Sequence, residues 1–455
     1  MTCKPAALIA LIVSMLLILP CAVSADGMIF HIDDEDMWGL LSENQQLAAI
    51  NYENGVQNMI LAVDVTELSG EKAVWLFPVP AKPDETAIDI IQGFPRLWGS
   101  DIKDKADTSI SSAFMVMRVS QVYTFPLLVV TGFGGGALFT GTKYVGGLDG
   151  LGDGVIVHEH IEKMGLVTEL VSAKESGALY SYLTGKGLDL PANSKAVLDE
   201  YTGKDYSFVV SWISDVEAFK LESSAKGYGQ FNTIGVSISF PTDKIYFPLK
   251  PTSVYGSAEV PVLIYVMEHV TPELYPGIEH ESTVTYFDEG YYSVPTEFSS
   301  FFNGKTSVQD LRYTKIKITA PSKYLTEDLW IKNSAPSGIA LTYFIIRNVW
   351  IVGIAFFVVC SCLASLFSGM IVFRKDQISK SKLFLLGLAN FFTLIGFTIA
   401  TIILETKKLD SKLLQQLNAQ GITAWDNRKV LFIFLFTILF LALTIVFQLM
   451  LQAIF

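Results

Sequence analysis

The sequence predicts an α+β exported domain, mostly antiparallel with a few short helices, followed by a three-helix transmembrane region. Three features predict it. An apolar leader opens the chain, short alternating segments fill its middle, and long uncharged runs crowd its last quarter. Of the 455 residues, 51% are hydrophobic and only 17% charged, more apolar than an ordinary soluble domain. The excess sits at the two ends, which points to export and a membrane rather than to an unusually large core.

The first element, residues 1–25, reads as a signal peptide. Lys4 precedes an apolar run from Ala6 to Leu19, Pro20 breaks it, and the small residues Val23 and Ala25 suit cleavage after Ala25. Residues 26–338 then form the expected exported domain. Alternating apolar positions predict strands at 57–65, 72–80, 113–123, 206–213, 233–240, 260–268 and 313–320. The first two of these read as a hairpin joined by "TELSGE". Two helices lie between the strands. One follows Ser172 and Glu175, a capping-box pair, and buries Ala178, Leu179, Tyr182 and Leu183. The other is capped by Asn193 and stops at Gly203.

A glycine-rich insertion, 131–154, interrupts the domain. Gly132, Gly134 and Ala137 fit G-x-G-x-x-A, but a dinucleotide site needs a helix directly afterwards, and Gly141, Gly146 and Gly147 oppose one. The stretch reads as a flexible loop, with a dip into the outer leaflet as the alternative.

On several blocks the domain resembles a known family. The blocks are "QQLAAINYENGVQNMILAVDV" with "WLFPVPAKPDE", the central run from "VIVHEHIEKMGL" to "DYSFVVSWI", "FPTDKIYFPLKPTS" and "RYTKIKITAPSKYLTEDLWI". Together they resemble domain of unknown function 2330 over most of residues 45–332. The resemblance implies an exported or membrane-anchored protein and names no activity. Members commonly carry cysteines near the start of the mature chain, and this sequence has none there.

Residues 339–455 form the expected membrane region, with helices at about 349–373, 383–404 and 430–455, each long enough to cross a bilayer. Tyr343, Arg347 and Trp350 sit where interfacial anchors belong. This region holds ten basic and four acidic residues, a net of +6, which leaves −18 of the chain's −12 on the preceding part. So acidic a domain excludes a nucleic-acid partner, since phosphates would be repelled. The loop 374–382 carries four basic residues in nine, and 405–429 carries five in 25. With the leader, this predicts a cytoplasmic loop 374–382, an outward 405–429 with a short amphipathic helix, and a cytoplasmic C-terminus. Ser361, Ser365 and Gly369 recur every four residues and predict a helix-packing face.

Chemistry-bearing patterns are sparse. His158 and His160, two apart on a strand, are the candidate metal ligands. The acidic runs 31–36 and 279–281 lack calcium-loop spacing, and "NGKTS" has Ser299 where a phosphate loop needs glycine. Cys3 and Cys21 fall in the leader and Cys360 and Cys362 in the first membrane helix, so the exported domain has no disulfide or cysteine nucleophile. No cofactor is expected. The resulting expectation is a cell-envelope membrane protein, its partners the lipid bilayer and an envelope or membrane protein, whose exported domain binds that protein or serves assembly. The alternatives are an accessory subunit of a transport complex, docked through the Ser361–Gly369 face, and a metal-assisted hydrolase using His158 and His160.

Overall fold

The computed structural model describes residues 46–62, 74–122, 155–185, 194–224, 234–257, 259–374, 378–404 and 427–454. The expected signal peptide, the glycine-rich stretch 131–154, Asn193 and the amphipathic helix within 405–429 lie outside these residues.

The chain is α+β, with mostly antiparallel sheets. An eight-stranded sheet has the order β4-β9-β2-β1-β11-β14-β13-β5. Its strands are β1 (Gln46–Glu53), β2 (Val56–Ala62), β4 (Ala87–Gln92), β5 (Ser100–Asp101), β9 (Ile234–Pro241), β11 (Val262–Met267), β13 (Ser282–Ser293) and β14 (Ser307–Ile318). Among the described strands, only β1 and β11 pair in parallel. One face of this sheet packs on two smaller sheets. The first comprises β3 (Val74–Val79), β6 (Val155–Lys163), β7 (Leu166–Ala173) and β8 (Ser207–Ile213); the second, β10 (Ile245–Phe247), β12 (Thr271–Pro272) and β15 (Leu329–Lys332). Between them lies one apolar core: Ile50, Met59, Ile238, Ile264 and Ile316 meet Leu170, Val209, Phe247 and Ile331.

The hairpin expected between 57–65 and 72–80 does not form. β2 turns back on β1 through Asn54 and Gly55, both at positive φ (56° and 81°), the pair a two-residue hairpin turn requires. β3 leaves for the four-stranded sheet, where it pairs with β8. Helix α2 (Ser176–Gly185) starts later than its expected cap: Ser172 is still in β7, and the carbonyl of Glu175 accepts the first helical bonds. Leu179 and Leu183 are buried against Phe208 and Val210. The short α3 (Ser194–Asp199) follows, and Gly203 takes the positive φ that ends its turn. Helix α4 (Val216–Ser224), which no sequence pattern predicts, lies elsewhere and buries Phe219 in the core between the sheets.

Two polar clasps hold the layers in register. Gln57 is wholly buried, and its amide both donates to the Tyr246 carbonyl (2.7 Å) and accepts from the Tyr246 N–H (2.8 Å), joining β2 to β10. Asp328 accepts from the Tyr201 and Tyr246 hydroxyls and from the Lys250 N–H, at 3.0, 3.0 and 3.1 Å. Burial pushes the Asp328 carboxyl above its ordinary range, and these donors pull it back.

The segment 113–123, expected as a strand, is the second half of a helix, α1 (Ile102–Val122). Its buried side chains Ile102, Ala106, Ile110, Ala113, Phe114 and Met117 follow a helical period. The alternation misleads because Met115, Val116 and Val119, on the opposite side, are apolar too. The first half of α1 belongs to the sheet: it leaves β5, and Lys105 bonds Asp288 of β13 at 2.6 Å. Its second half belongs to the C-terminal bundle.

That bundle holds three segments long and apolar enough to cross a membrane: Val349–Val372, Lys380–Ile403 and Asn427–Gln452. The first is α6 and the last α9, preceded by the short α5 (Ser337–Arg347) that leads out of the β domain. The middle one is broken. Helix α7 (Lys380–Leu386) passes into a 3-10 stretch, Gly387–Phe392, and α8 (Thr393–Ile403) follows. Thr393 stands at φ 72°, strained for a β-branched residue. An ideal Cβ on Gly396 would lie 2.7 Å from the Ala389 carbonyl oxygen. Seven residues of continuous helix would separate these positions by about 10 Å, so the chain folds back here. Gln452, at the end of α9, bonds Ser111 of α1 at 2.9 Å, so α9 ends beside the helix that comes from the β domain.

Replacing Asp328 with alanine leaves three donors without their acceptor and is expected to cost about 2–3 kcal/mol. A lowered thermal midpoint of the full-length protein in detergent checks this, with Asp328→Asn, which keeps an acceptor, falling between the two.

Candidate functional site

The expected metal pair is separated by one irregularity in β6. The register between β6 and β7 shifts between Val157 and Glu159. His158 contacts Ser172 at 2.8 Å, while His160 Nδ1 contacts Glu169 at 2.8 Å. Ser172 and Glu169 are three apart on one strand, so the two imidazoles lie on opposite faces of the sheet. A regular strand would have put them together. Glu169, 3% exposed, also accepts from the Tyr182 hydroxyl. Burial first, and then Glu169, pushes the Tyr182 phenol upward. This makes a half-exposed imidazole oriented by a buried carboxylate. Among the described residues, no group of three His, Cys, Asp or Glu could hold a metal ion.

Ser361, Ser365 and Gly369 face the broken segment. Asn390 Nδ2 donates to Ser361 Oγ (2.9 Å), and Ser365 Oγ donates to the Leu383 carbonyl (2.6 Å). An ideal Cβ on Gly369 would fall 2.6 Å from Leu383 Cδ2. Gly387 answers from the other side: its Cβ would meet Cys362 Cα at 2.5 Å, so only glycine permits the approach. The stripe is therefore occupied within the chain. Asn390 is 1% exposed, and its Oδ1 finds no partner among the described residues.

A third place combines a cavity with polar groups and strain, and no sequence motif marks it. Where α5 leaves the β domain, a cavity of about 380 Å³ is lined by Glu268, His269, Arg312, Ser334, Ala340 and Tyr343. The size is at the low end for small-ligand sites. His269 follows β11, Arg312 lies on β14, and Tyr343 lies on α5, so the site exists only where α5 lies against the large sheet. His269 Nε2 donates to the Phe287 carbonyl at 2.9 Å, which fixes the tautomer and leaves Nδ1 as an acceptor. The ring stands edge-on to Tyr286 and Tyr343. Arg312 bonds Glu268 at 2.6 Å and lies over the Tyr343 ring at 5.2 Å; its Nε is buried with no partner among the described residues. Glu268 at φ 74° and Asp310 at φ 51° are both held in the left-handed region beside this seam. Asp310 also reaches Arg347 of α5 at 3.5 Å. Guanidinium, imidazole and phenol here can hold a polar group.

No known protein family, curated protein or solved structure matches the chain.

Burial lowers the His269 pKa from its ordinary 6.5, and Arg312 lowers it further, against the opposing bond to Phe287. The unfolded chain takes up a proton near pH 6.5 that folded His269 refuses. The stability from keeping it neutral is therefore whole above that pH and lost as pH falls below it. A His269→Gln variant should show a shallower fall in thermal midpoint on acidification than the wild type. His158, also lowered by burial, acts in the same sense and remains in both proteins, so the difference isolates His269.

Proposed function

We propose that this is a cell-envelope membrane protein. The bundle sits in the bilayer, the β domain stands outside the cytoplasm, and the domain works by binding a partner or by supporting assembly. One observation carries this reading: the β domain is not a tethered ectodomain but is seated on the bundle by two helices. Ile110 and Phe114 of α1 pack with Ile345 of α5 and Leu451 of α9. Ala113 and Met117 of α1 pack with Phe357 and Phe440. A domain held at fixed height and orientation suits contact with neighbours in the envelope, and the seam cavity is where a bound group would be felt by both parts.

Neither alternative gains from the geometry. Transport-subunit docking through Ser361, Ser365 and Gly369 meets a face already filled by Leu383 and Asn390. Hydrolysis with paired His158 and His160 meets two side chains on opposite faces.

The test is photo-crosslinking in intact cells of the native host. Trp98 and Tyr291 are exposed aromatics on the β13 side of the large sheet, the residue type enriched where partners bind. A photoreactive residue at one of these positions should give a discrete adduct of higher mass. Uncrosslinked monomer alone from both positions would overturn the binding reading.

A further inference from the structure

We propose that the chain crosses the bilayer completely only twice, in α6 and α9. The rest of the membrane volume is filled by two partial insertions: the hairpin formed by residues 380–404, entering from the side opposite the β domain, and α1, entering from the domain's side. This rests on the reading that the bundle lies in a bilayer.

Lengths make the first argument. At 1.5 Å per residue α6 and α9 measure about 36 and 39 Å, more than the ~30 Å hydrocarbon core. Helix α8 measures about 16 Å, and α7 with its 3-10 extension about 22 Å, so neither arm crosses alone. Cross-contacts along α6 then give depth. Phe373, just past the far end of α6, packs against Phe432 of α9 with ring centroids 5.1 Å apart. Leu383 lies beside Ser365 and Gly369, and Asn390 reaches Ser361, the middle of α6. Past Thr393 the direction reverses: Phe397 stacks on Phe436 at 3.6 Å and lies 5.4 Å from Phe432. Lys429, in the first turn of α9, then donates to the Ile402 and Leu404 carbonyls, both at 2.7 Å. The hairpin thus goes in by about half the bundle and returns to the end it left. Its irregular tip is tolerable in lipid because Gly387, Asn390 and Thr393 are buried in protein.

Helix α1 descends from the other end. Met117 fills the space beside Gly353, and the helix lies against α5, α6, α8 and α9. Its outward side chains Met115, Val116 and Val119 continue the apolar surface of the bundle. Charge supplies an independent argument. The sequence carries two basic loops, 374–382 and 405–429, on opposite sides if three helices cross. The hairpin puts both on one side, as the excess of basic residues in cytoplasmic loops demands.

Single cysteines placed at Ser379, Asn427, Ile454 or Val119 of the full-length chain, with the four native cysteines replaced by alanine, test this. Intact and permeabilised cells are treated with a membrane-impermeant maleimide. The proposal expects Ser379 and Asn427 to behave alike, reacting only after permeabilisation, and Ile454 to react in intact cells. Val119, although 43% exposed, should react in neither, because acyl chains cover it. Asn427 reacting opposite to Ser379, or Ile454 alike with Ser379, would mean three full crossings and overturn the proposal; so would ready labelling of Val119. A C-terminal epitope on the otherwise wild-type chain provides a cysteine-independent check: protease should remove it from the side that bears the β domain. Loss of the wild-type protein from carbonate-washed membranes would instead sink the bilayer reading itself.

Discussion

The structure depends on one helix that serves two hydrophobic environments. Ile102 and Ala106 of α1 are buried at the sheet, and Ala113 and Met117, two turns later, are buried among the bundle helices. A helix is rigid along its axis, so each end fixes the other. The short α5 makes a second link, and two links at separate points remove the hinge a single one would leave. The strained backbone at Glu268 and Asp310 lies beside this junction, where docking over-determines the local conformation. The seam cavity is a product of the same constraint.

Much of the fold was legible because short apolar, β-branched runs bounded by turn residues mark strands, whether one face is wet, as in β14, or both are buried, as in β8 and β11. β2, β8, β9, β11 and β14 fall where the sequence predicts them. α1 was misread in its second half, where Met115, Val116 and Val119 are apolar on the exposed side and blur the period; its first half carries a readable one, with Lys103, Asp104, Asp107 and Thr108 exposed opposite Ile102, Ala106 and Ile110. The β1–β2 hairpin is legible in principle: "NG" between apolar runs is a strong short-range turn signal, stronger than the competing "TELSGE". Which sheet a strand joins is a long-range matter that alternation does not encode.

The candidate sites show the same limits. His158 and His160 look adjacent until a single register shift turns one of them over, and nothing local announces that shift. Ser361, Ser365 and Gly369 announce close packing by size alone, but their partner, Gly387 with Leu383, became visible only when the chain folded back. The seam cavity draws on β11, β14 and α5, with Glu268 and Tyr343 75 positions apart, so no contiguous motif contains it.

The double seating of α1 has a consequence for how the protein is made. A ribosome delivers α1 and the strands around it long before α6 and α9 exist. Until those helices are in place, Ala113, Phe114 and Met117 have nothing to cover them. The order of synthesis thus runs against the order of assembly. The nascent domain must wait, half-finished and sticky along one helix, until the bundle that covers it has been made.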